Sequence, residues 1–212
     1  MKSSQRNLLL VFVILLILGG IYTLESRKVD QGGEFDVVQV TSPSEGMDRE
    51  KKEKMFDVAK EITTPNGYIN IDDINIADAI GKKVILIDFW TYSCINCQRT
   101  TPFLNAWWDK YEDDGLLMIG IHTPEFEFEK DYNNVADAVK EFGIEFPVVL
   151  DNDFSTWRAY QNRYWPRKYL IDIDGFIVYD HIGEGGYDET EKKIQELLEE
   201  RRVRSIMKEK TD

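Results

Sequence analysis

The stretch VILIDFWTYSCINC, residues 84–97, decides the fold of this chain. Its first seven residues are apolar apart from Asp88, which is typical of a strand buried on both faces of a sheet. Apolar spacing compatible with a helix follows over residues 95–112. The only two cysteines, Cys94 and Cys97, therefore lie where a strand turns into a helix.

Two cysteines three residues apart at a helix start can reach each other. The positive end of the helix dipole favours the thiolate, the reactive form of cysteine, so the pair predicts dithiol–disulfide exchange. A structural disulfide or half of a zinc site are the other interpretations. A four-ligand zinc site needs two more ligands, and His122 and His181 lie far apart in sequence, so we expect no metal site.

From residue 83 onward, predicted strands and helices alternate along the chain. Further strands are expected at 116–122, 147–150, 168–173 and 176–181, and helices at 133–142, 155–162 and 188–207. This order predicts an α/β fold with a central mixed sheet, an antiparallel edge hairpin and flanking helices. Upstream, residues 68–71 and 74–76 alternate and predict a small separate hairpin.

The N-terminus carries an uncharged, mainly apolar stretch at residues 8–24, preceded by Lys2 and Arg6. Its length is at the lower limit for a membrane-spanning helix. We expect an uncleaved signal anchor, rather than a cleaved signal peptide, with residues 1–7 in the cytoplasm and the rest exported. The predicted organisation is a transmembrane helix at 1–24, a linker at 25–62 and a folded domain at 63–207.

The composition and the net charge favour a globular domain and argue against a nucleic-acid-binding protein. Of the 212 residues, 42% are hydrophobic, which is enough to form one globular domain of ordinary size. The net charge is −13. Because a nucleic-acid binder needs basic patches and none is present, we expect no nucleic-acid partner.

Several motifs together resemble one family. They are DFWxxxCxxC at 88–97 followed by Pro102, and then IGIHTPEF at 119–126, DN at 151–152, YWP at 164–166 and GEG at 183–185. The set resembles the TlpA-like branch of the thioredoxin superfamily, and within it the DipZ-like group of membrane-anchored thiol–disulfide oxidoreductases. The resemblance covers residues 68–200. It implies a thioredoxin-like fold with an insertion, here 123–143, after the second core strand.

The resemblance also implies roles for individual residues. Cys94 corresponds to the nucleophile and Cys97 to the resolving thiol, the two forming the redox-active disulfide. Asp88 corresponds to the buried acid that takes the proton from Cys97. Pro166 resembles the family's cis-proline, which presents the preceding backbone to a substrate, and Trp165 beside it is a candidate contact for a substrate peptide.

Glu125 is a candidate tuning residue for the thiols, because it follows a predicted strand end where sites of α/β proteins gather. A solvated loop charge or a helix cap is the alternative interpretation of this acid. Thioredoxin itself has Trp-Cys-Gly-Pro-Cys, whereas here Ser93 precedes the first cysteine and Ile-Asn separates the pair. The direction of electron flow is therefore not inherited from thioredoxin.

The resemblance implies an enzyme without a cofactor, anchored in the cell membrane by a single span, with its domain outside the cytoplasm. Its partners would be protein thiols and disulfides and a membrane thiol electron carrier, in a reducing relay such as cytochrome c maturation. A peroxiredoxin-like peroxide reductase is one alternative, but such enzymes place their catalytic cysteine behind a Pro-x-x-x-Thr/Ser motif, and the residues before Cys94, WTYS at 90–93, lack that proline. The other alternative is a non-enzymatic peptide-binding or chaperone module on the same fold.

Overall fold

The computed structural model describes residues 49–210. The strands are β1 Gly67–Ile69, β2 Val84–Trp90, β3 Leu116–His122, β4 Val148–Leu150, β5 Arg167–Ile171 and β6 Ile177–Ile182. The helices are α1 Arg49–Met55, α2 Ile95–Tyr111, α3 Tyr132–Glu141, α4 Ser155–Ala159 and α5 Tyr187–Glu209, with a 3₁₀ helix at Glu127–Lys130.

The six strands form one mixed sheet in the order β1-β4-β3-β2-β5-β6. Strands β2, β3 and β4 are parallel, while β5 runs antiparallel to β2 and β6 antiparallel to β5. The expected mixed sheet with an antiparallel edge hairpin is confirmed. Because parallel strands end at the same edge, the C-terminal ends of β2 and β3 lie side by side, with Trp90 opposite His122.

The central strand β2 is buried along its whole length, and its side chains alternate between two cores. Ile85, Ile87 and Phe89 belong to the core that also contains Tyr160 and Tyr169. The other core contains Leu86 and Trp90 together with residues of α2, α3 and α5. Since Asp88 is two residues from both Leu86 and Trp90, the strand period directs its carboxyl toward the face covered by α2.

The prediction of a small hairpin at 68–71 and 74–76 is wrong. Strand β1 pairs instead with β4, with Tyr68 opposite Val149, and residues 74–76 form no strand. The Glu61 carboxylate accepts a hydrogen bond from the backbone N–H of Ile76 at 2.7 Å. A strand at 74–76 would need that N–H for ladder pairing, so the local alternation is overridden by a side chain distant in sequence.

The described part of the predicted linker, residues 49–62, packs against the folded domain. Lys52 in α1 is buried, and its Nζ lies 2.7 Å from carboxylate oxygens of Asp172 and Asp174. Val58 pairs with Phe176 in an isolated bridge. The packed part of the chain thus extends at least to residue 49, upstream of the expected boundary at residue 63.

The expected insertion, 123–143, forms the 3₁₀ helix and α3 between β3 and β4.

Within residues 49–210, no helix is both long and apolar enough to span a membrane. The stretch at 8–24, expected to be a signal anchor, lies outside the described residues.

Candidate active site

The two cysteines lie at the start of α2, directly beyond the C-terminal end of β2. Cys94 is the N-cap residue of the helix, with extended backbone, and its Sγ accepts a hydrogen bond from the Cys97 N–H at 3.4 Å. Both cysteines are free thiols. Cys94 is partly exposed, whereas Cys97 is only 2% exposed. An incoming sulfur can therefore reach Cys94 and cannot reach Cys97 directly.

The Cys94 thiol is acidified by its surroundings. Its pKa is lowered to about 6, chiefly because the Cys97 thiol hydrogen-bonds to it. Burial opposes this effect, while the backbone N–H groups of Cys97 and Asn96 strengthen it, and the charge of Glu125 weakly opposes it. At neutral pH, Cys94 is therefore mostly thiolate, the form that attacks disulfides.

The Cys97 thiol has the opposite character. Burial raises its pKa well above the ordinary range, and the hydrogen bond to Cys94 and the charge of Asp88 raise it further. At neutral pH, Cys97 therefore keeps its proton. The helix start therefore holds one activated thiol and one protected thiol.

Asp88 is a buried carboxyl whose charge acts on Cys97. Its side chain is 3% exposed, and burial raises its pKa to about 7, with Lys168 opposing the shift and Cys94 adding to it. Among the described residues, its Oδ1 has no hydrogen-bond partner. A buried carboxyl that titrates near neutral pH and has a free oxygen can take up and return a proton.

Lys168 is a charged residue of the site that sequence reasoning missed. It is fully buried in β5 directly opposite Asp88, and its Nζ donates to the Gly183 carbonyl at 3.2 Å. Directly opposite residues of an antiparallel pair present their side chains on the same face. The alternation of β5 could have indicated this position, since Lys168 is in phase with the buried Leu170.

Pro166 and Trp165 form the second edge of the site. The Trp165–Pro166 peptide bond is cis, as the resemblance implied, and Pro166 is buried. The Trp165 carbonyl oxygen lies 3.9 Å from Cys94 Sγ. The Trp165 indole is fixed by its hydrogen bond to the Thr123 carbonyl at 2.9 Å and by Trp157, whose ring centroid is 4.2 Å away. The structure thus brings four of the expected site residues, Cys94, Cys97, Trp165 and Pro166, together.

Glu125 is exposed, and its negative charge opposes the lowering of the Cys94 pKa. The acid built into the site is instead Glu129, which is fully buried. One Glu129 oxygen accepts from the Ser93 hydroxyl at 2.5 Å, and the other accepts from the backbone N–H groups of Glu125 and Phe126 at 2.5 and 2.8 Å. Glu129 therefore ties the insertion to the residue preceding Cys94.

The charged form of Glu129 is the stable one. Burial alone would raise its pKa, but hydrogen bonds from Ser93, Thr91 and the backbone lower it below the ordinary value. Its neighbour His122 is buried, and burial lowers its pKa to about 4, so the imidazole is neutral. Nothing in the local sequence distinguishes Glu129 from the exposed Glu127, because only tertiary contacts bury it.

Comparisons with known proteins show to which family the chain is similar. The model of the AhpC/TSA family matches residues 55–180. Protein DipZ of Mycobacterium tuberculosis is 50% identical over 142 residues, which are 66% of this chain and 20% of that protein. The chain thus spans about a fifth of the length of this relative.

A second relative is matched along nearly its whole length. The thiol-disulfide oxidoreductase YkuV of Bacillus subtilis is 30% identical over 140 residues, covering 66% of this chain and 93% of that protein. Among solved structures, a thioredoxin-like protein in its oxidized form superposes with a TM-score of 0.63 and 29% identity. That alignment covers 69% of this chain and 98% of the other. The chain therefore belongs to the AhpC/TSA family of the thioredoxin superfamily, and the relative that it matches along nearly its whole length is a thiol-disulfide oxidoreductase.

Proposed function

We propose that the chain exchanges its Cys94–Cys97 dithiol with disulfides of protein partners. The observation that carries this proposal is the contrast between the two thiols, one partly exposed with a lowered pKa and one buried with a raised pKa. In the first step, the Cys94 thiolate attacks one sulfur of the partner disulfide. A mixed disulfide forms, and the partner's second sulfur leaves as a thiolate that takes a proton from solvent.

The second step uses Asp88 as the base. The carboxylate takes the proton of Cys97, and the resulting thiolate attacks Cys94 Sγ, breaking the mixed disulfide. The partner leaves with two thiols and the enzyme keeps a Cys94–Cys97 disulfide, so two electrons pass from enzyme to partner. The reverse sequence oxidises a partner dithiol.

The Trp165–Pro166 edge is the proposed contact for the substrate backbone. The Trp165 carbonyl is close to Cys94 Sγ, so a partner chain bonded to that sulfur lies alongside residue 165. An extended segment can pair with such an edge through main-chain hydrogen bonds. This arrangement favours flexible or unfolded polypeptides over small disulfides.

The proposed location is outside the cytoplasm, with residues 8–24 as a single membrane anchor. The apolar stretch and the basic residues before it support this part of the proposal. Electrons would then come from a membrane thiol carrier and pass to exported proteins, such as apocytochromes awaiting haem. The site itself is compatible with both directions of electron flow.

The test is to trap partners with Cys97→Ser in the full chain. We expect mixed disulfides through Cys94 that dissolve on reduction and are identified by mass spectrometry. The double variant Cys94→Ser/Cys97→Ser is the matched control and should trap nothing. A single variant that traps no protein, together with a wild type inert toward insulin disulfides, would contradict the proposal. Rapid consumption of hydrogen peroxide by the reduced wild type would favour the peroxide-reductase alternative.

A redox titration tests the direction of electron flow. A reduction potential near that of thioredoxin, about −270 mV, would indicate a reductant, and one near about −120 mV an oxidant. The reducing relay proposed here requires a value toward the thioredoxin end.

A further inference from the structure

Three aromatic side chains form a continuous surface beside the nucleophile. Phe126 and Phe128 are 49% and 55% exposed, and their rings stack in parallel with centroids 5.5 Å apart. The ring of Tyr92, two residues before Cys94, lies 6.2 Å from that of Phe128. We call Tyr92, Phe126 and Phe128 the aromatic ridge.

Hydrogen bonds from defined side chains hold the aromatic ridge in place. The Tyr92 hydroxyl donates to the Phe128 carbonyl at 3.3 Å, and the Asn134 amide donates to the same carbonyl at 2.9 Å. The buried Glu129 carboxylate binds both the Phe126 N–H and the Ser93 hydroxyl. The ridge is therefore positioned with respect to Cys94 by the same contacts that order the loop before the helix.

This exposure has an energetic cost, because two phenylalanines stacked on each other outside the core leave about half of their area in water. Isolated exposed apolar residues are normal on protein surfaces. Adjacent aromatic rings next to a reactive group are typical of the centre of a binding surface, where aromatic anchors contribute most of the affinity.

The charge beside the aromatic ridge restricts what can bind there. Glu125 is exposed and forms no ion pair with any residue of the described range 49–210, while the neighbouring Glu127 is paired with Lys130 at 2.7 Å. The negative charge of Glu125 also acts on Cys94. A partner with a positive charge close to its reacting sulfur complements this charge, and one with a negative charge is repelled.

We propose that the aromatic ridge and Glu125 form a docking surface for an extended polypeptide that carries an apolar side chain and a basic side chain next to its disulfide cysteine. This inference rests on the exchange proposed at Cys94. The Trp165–Pro166 edge holds the backbone of the partner, and the ridge selects among its side chains. Small disulfides, which have no such side chains, react at Cys94 without using the ridge.

The experiment compares three substrates with the reduced full chain. Two are peptide disulfides of matched length, one with Phe and Lys flanking the cysteine and one with Ser and Glu, and the third is hydroxyethyl disulfide. For the wild type we expect kcat/KM to be at least about tenfold higher with the Phe/Lys peptide than with the Ser/Glu peptide. In Phe126→Ser/Phe128→Ser this preference should fall by about tenfold, while the rate with hydroxyethyl disulfide stays unchanged.

Two further variants separate the contributions of charge and shape. With two additional peptides, flanked by Phe and Glu or by Ser and Lys, Glu125→Gln should weaken the preference for Lys over Glu and leave the preference for Phe over Ser intact. Met55→Ser/Ile206→Ser replaces two exposed apolar residues in α1 and α5 and should leave all three rates unchanged. Phe126→Ser alone provides a milder test if the double variant unfolds more readily.

Each result has a defined meaning. Equal preference in wild type and ridge variant would overturn the docking surface while leaving the exchange chemistry intact. An equal fall with all three substrates would also overturn it, because the ridge would then only support the fold of the site. A wild type that reacts with no disulfide, including the small one, would instead contradict the proposed function.

Discussion

At the end of the sheet where β5 turns into β6, the buried charge of Lys52 is paired with Asp172 and Asp174, both at 2.7 Å. At the opposite end, where β2 meets α2, the buried carboxyl of Asp88 has an oxygen with no partner among residues 49–210. Beside it, the buried thiol of Cys97 has a raised pKa. One end of the domain pairs its buried cation with carboxylates, whereas the other leaves one buried carboxyl oxygen, Oδ1 of Asp88, without a hydrogen-bond partner among residues 49–210.

The two ends of the domain differ in what their buried charged groups contribute, to stability at one end and to proton transfer at the other. A buried ion pair with good geometry costs little net free energy while intact and a great deal when one partner is removed. A buried acid without such a pair has a shifted pKa, which makes it useful for proton transfer and costly for folding. The ion-paired end holds α1 and α5 on the sheet, and the active-site end carries the residues of the proposed exchange.

The largest effect is expected from the nucleophile. Cys94→Ser should lower the rate of disulfide reduction at least about 10³-fold, the scale on which removal of a catalytic nucleophile acts. Because the side chain is partly exposed and serine is nearly isosteric, the free energy of unfolding should change by less than about 0.5 kcal/mol. Insulin-disulfide reduction and urea unfolding measure the two quantities. Retained activity would mean that Cys94 is not the nucleophile and would contradict the assignment of the reaction to this end of the domain.

At the ion-paired end of the domain, the corresponding test is the substitution Lys52→Met. It removes the cation and leaves Asp172 buried without an ion pair, whereas the partly exposed Asp174 keeps Arg204 as its partner. We therefore expect the free energy of unfolding to fall by about 3–5 kcal/mol. Urea unfolding of the reduced protein measures this loss. The reaction of the folded protein with a small disulfide should be unchanged, since α1 lies away from the cysteines.

Lys192→Met is the matched control for that experiment. Lys192 is an exposed residue of α5 with only a 4.0 Å ion pair to Glu196, so its replacement should cost less than about 0.5 kcal/mol. Equal losses in the two lysine variants would show that the buried ion pairs do not stabilise α1 as argued here.

Asp88→Asn should stabilise the protein above neutral pH. The folded-state pKa of Asp88, about 7, is higher than the ordinary value of a carboxyl. The presence of Asp88 therefore lowers the free energy of unfolding progressively as the pH rises from about 4 to 7. At pH 8 we expect the variant to gain roughly 2–4 kcal/mol, with no gain below about pH 4. The mixed disulfide should meanwhile persist longer, because Cys97 has lost its base. A variant that is less stable at pH 8 would mean that Asp88 is satisfied in the fold.

Asp174→Asn should show the opposite pH dependence with a smaller magnitude. The hydrogen bond from Arg204 and the proximity of Lys52 lower the pKa of Asp174 to about 2. Its contribution to stability is therefore complete above about pH 4 and disappears as the pH falls toward 2. We expect a loss of about 1–2 kcal/mol at neutral pH that fades in acid, measured by urea unfolding across that range. A loss that does not depend on pH would mean that packing, rather than charge, is what Asp174 contributes.

The active-site end was largely predictable because its main features are local. An apolar run followed by two cysteines at helical spacing identifies the junction of β2 and α2, and the single acid within that run identifies Asp88. The cis bond at Pro166 followed from the resemblance of the YWP motif. Burial of Cys97 relative to Cys94 follows from helix geometry, since the N-cap faces solvent and the third residue of the helix faces the sheet.

The remaining features depend on contacts that are distant in sequence. Glu129 looks like any other acid of a polar insertion until Ser93 and two backbone N–H groups surround it. Lys52 lies in a charged run that resembles a linker, and its burial requires the β5–β6 hairpin. The failed hairpin at 68–76 has the same origin, because β4 and Glu61 compete successfully for its backbone. Local periodicity carries no information about such partners.

The burial of Cys97 also determines how the enzyme withstands oxidative damage. A reactive oxygen species entering from solvent can form a sulfenic acid only on Cys94, the sulfur it can touch. The neighbouring Cys97 thiol can then condense with that sulfenic acid and expel water, giving a disulfide before the irreversible sulfinic stage is reached. We therefore expect the inaccessibility of Cys97, which sets the proposed order of exchange, to convert an otherwise destructive oxidation into a disulfide that a reductant of the pair can repair.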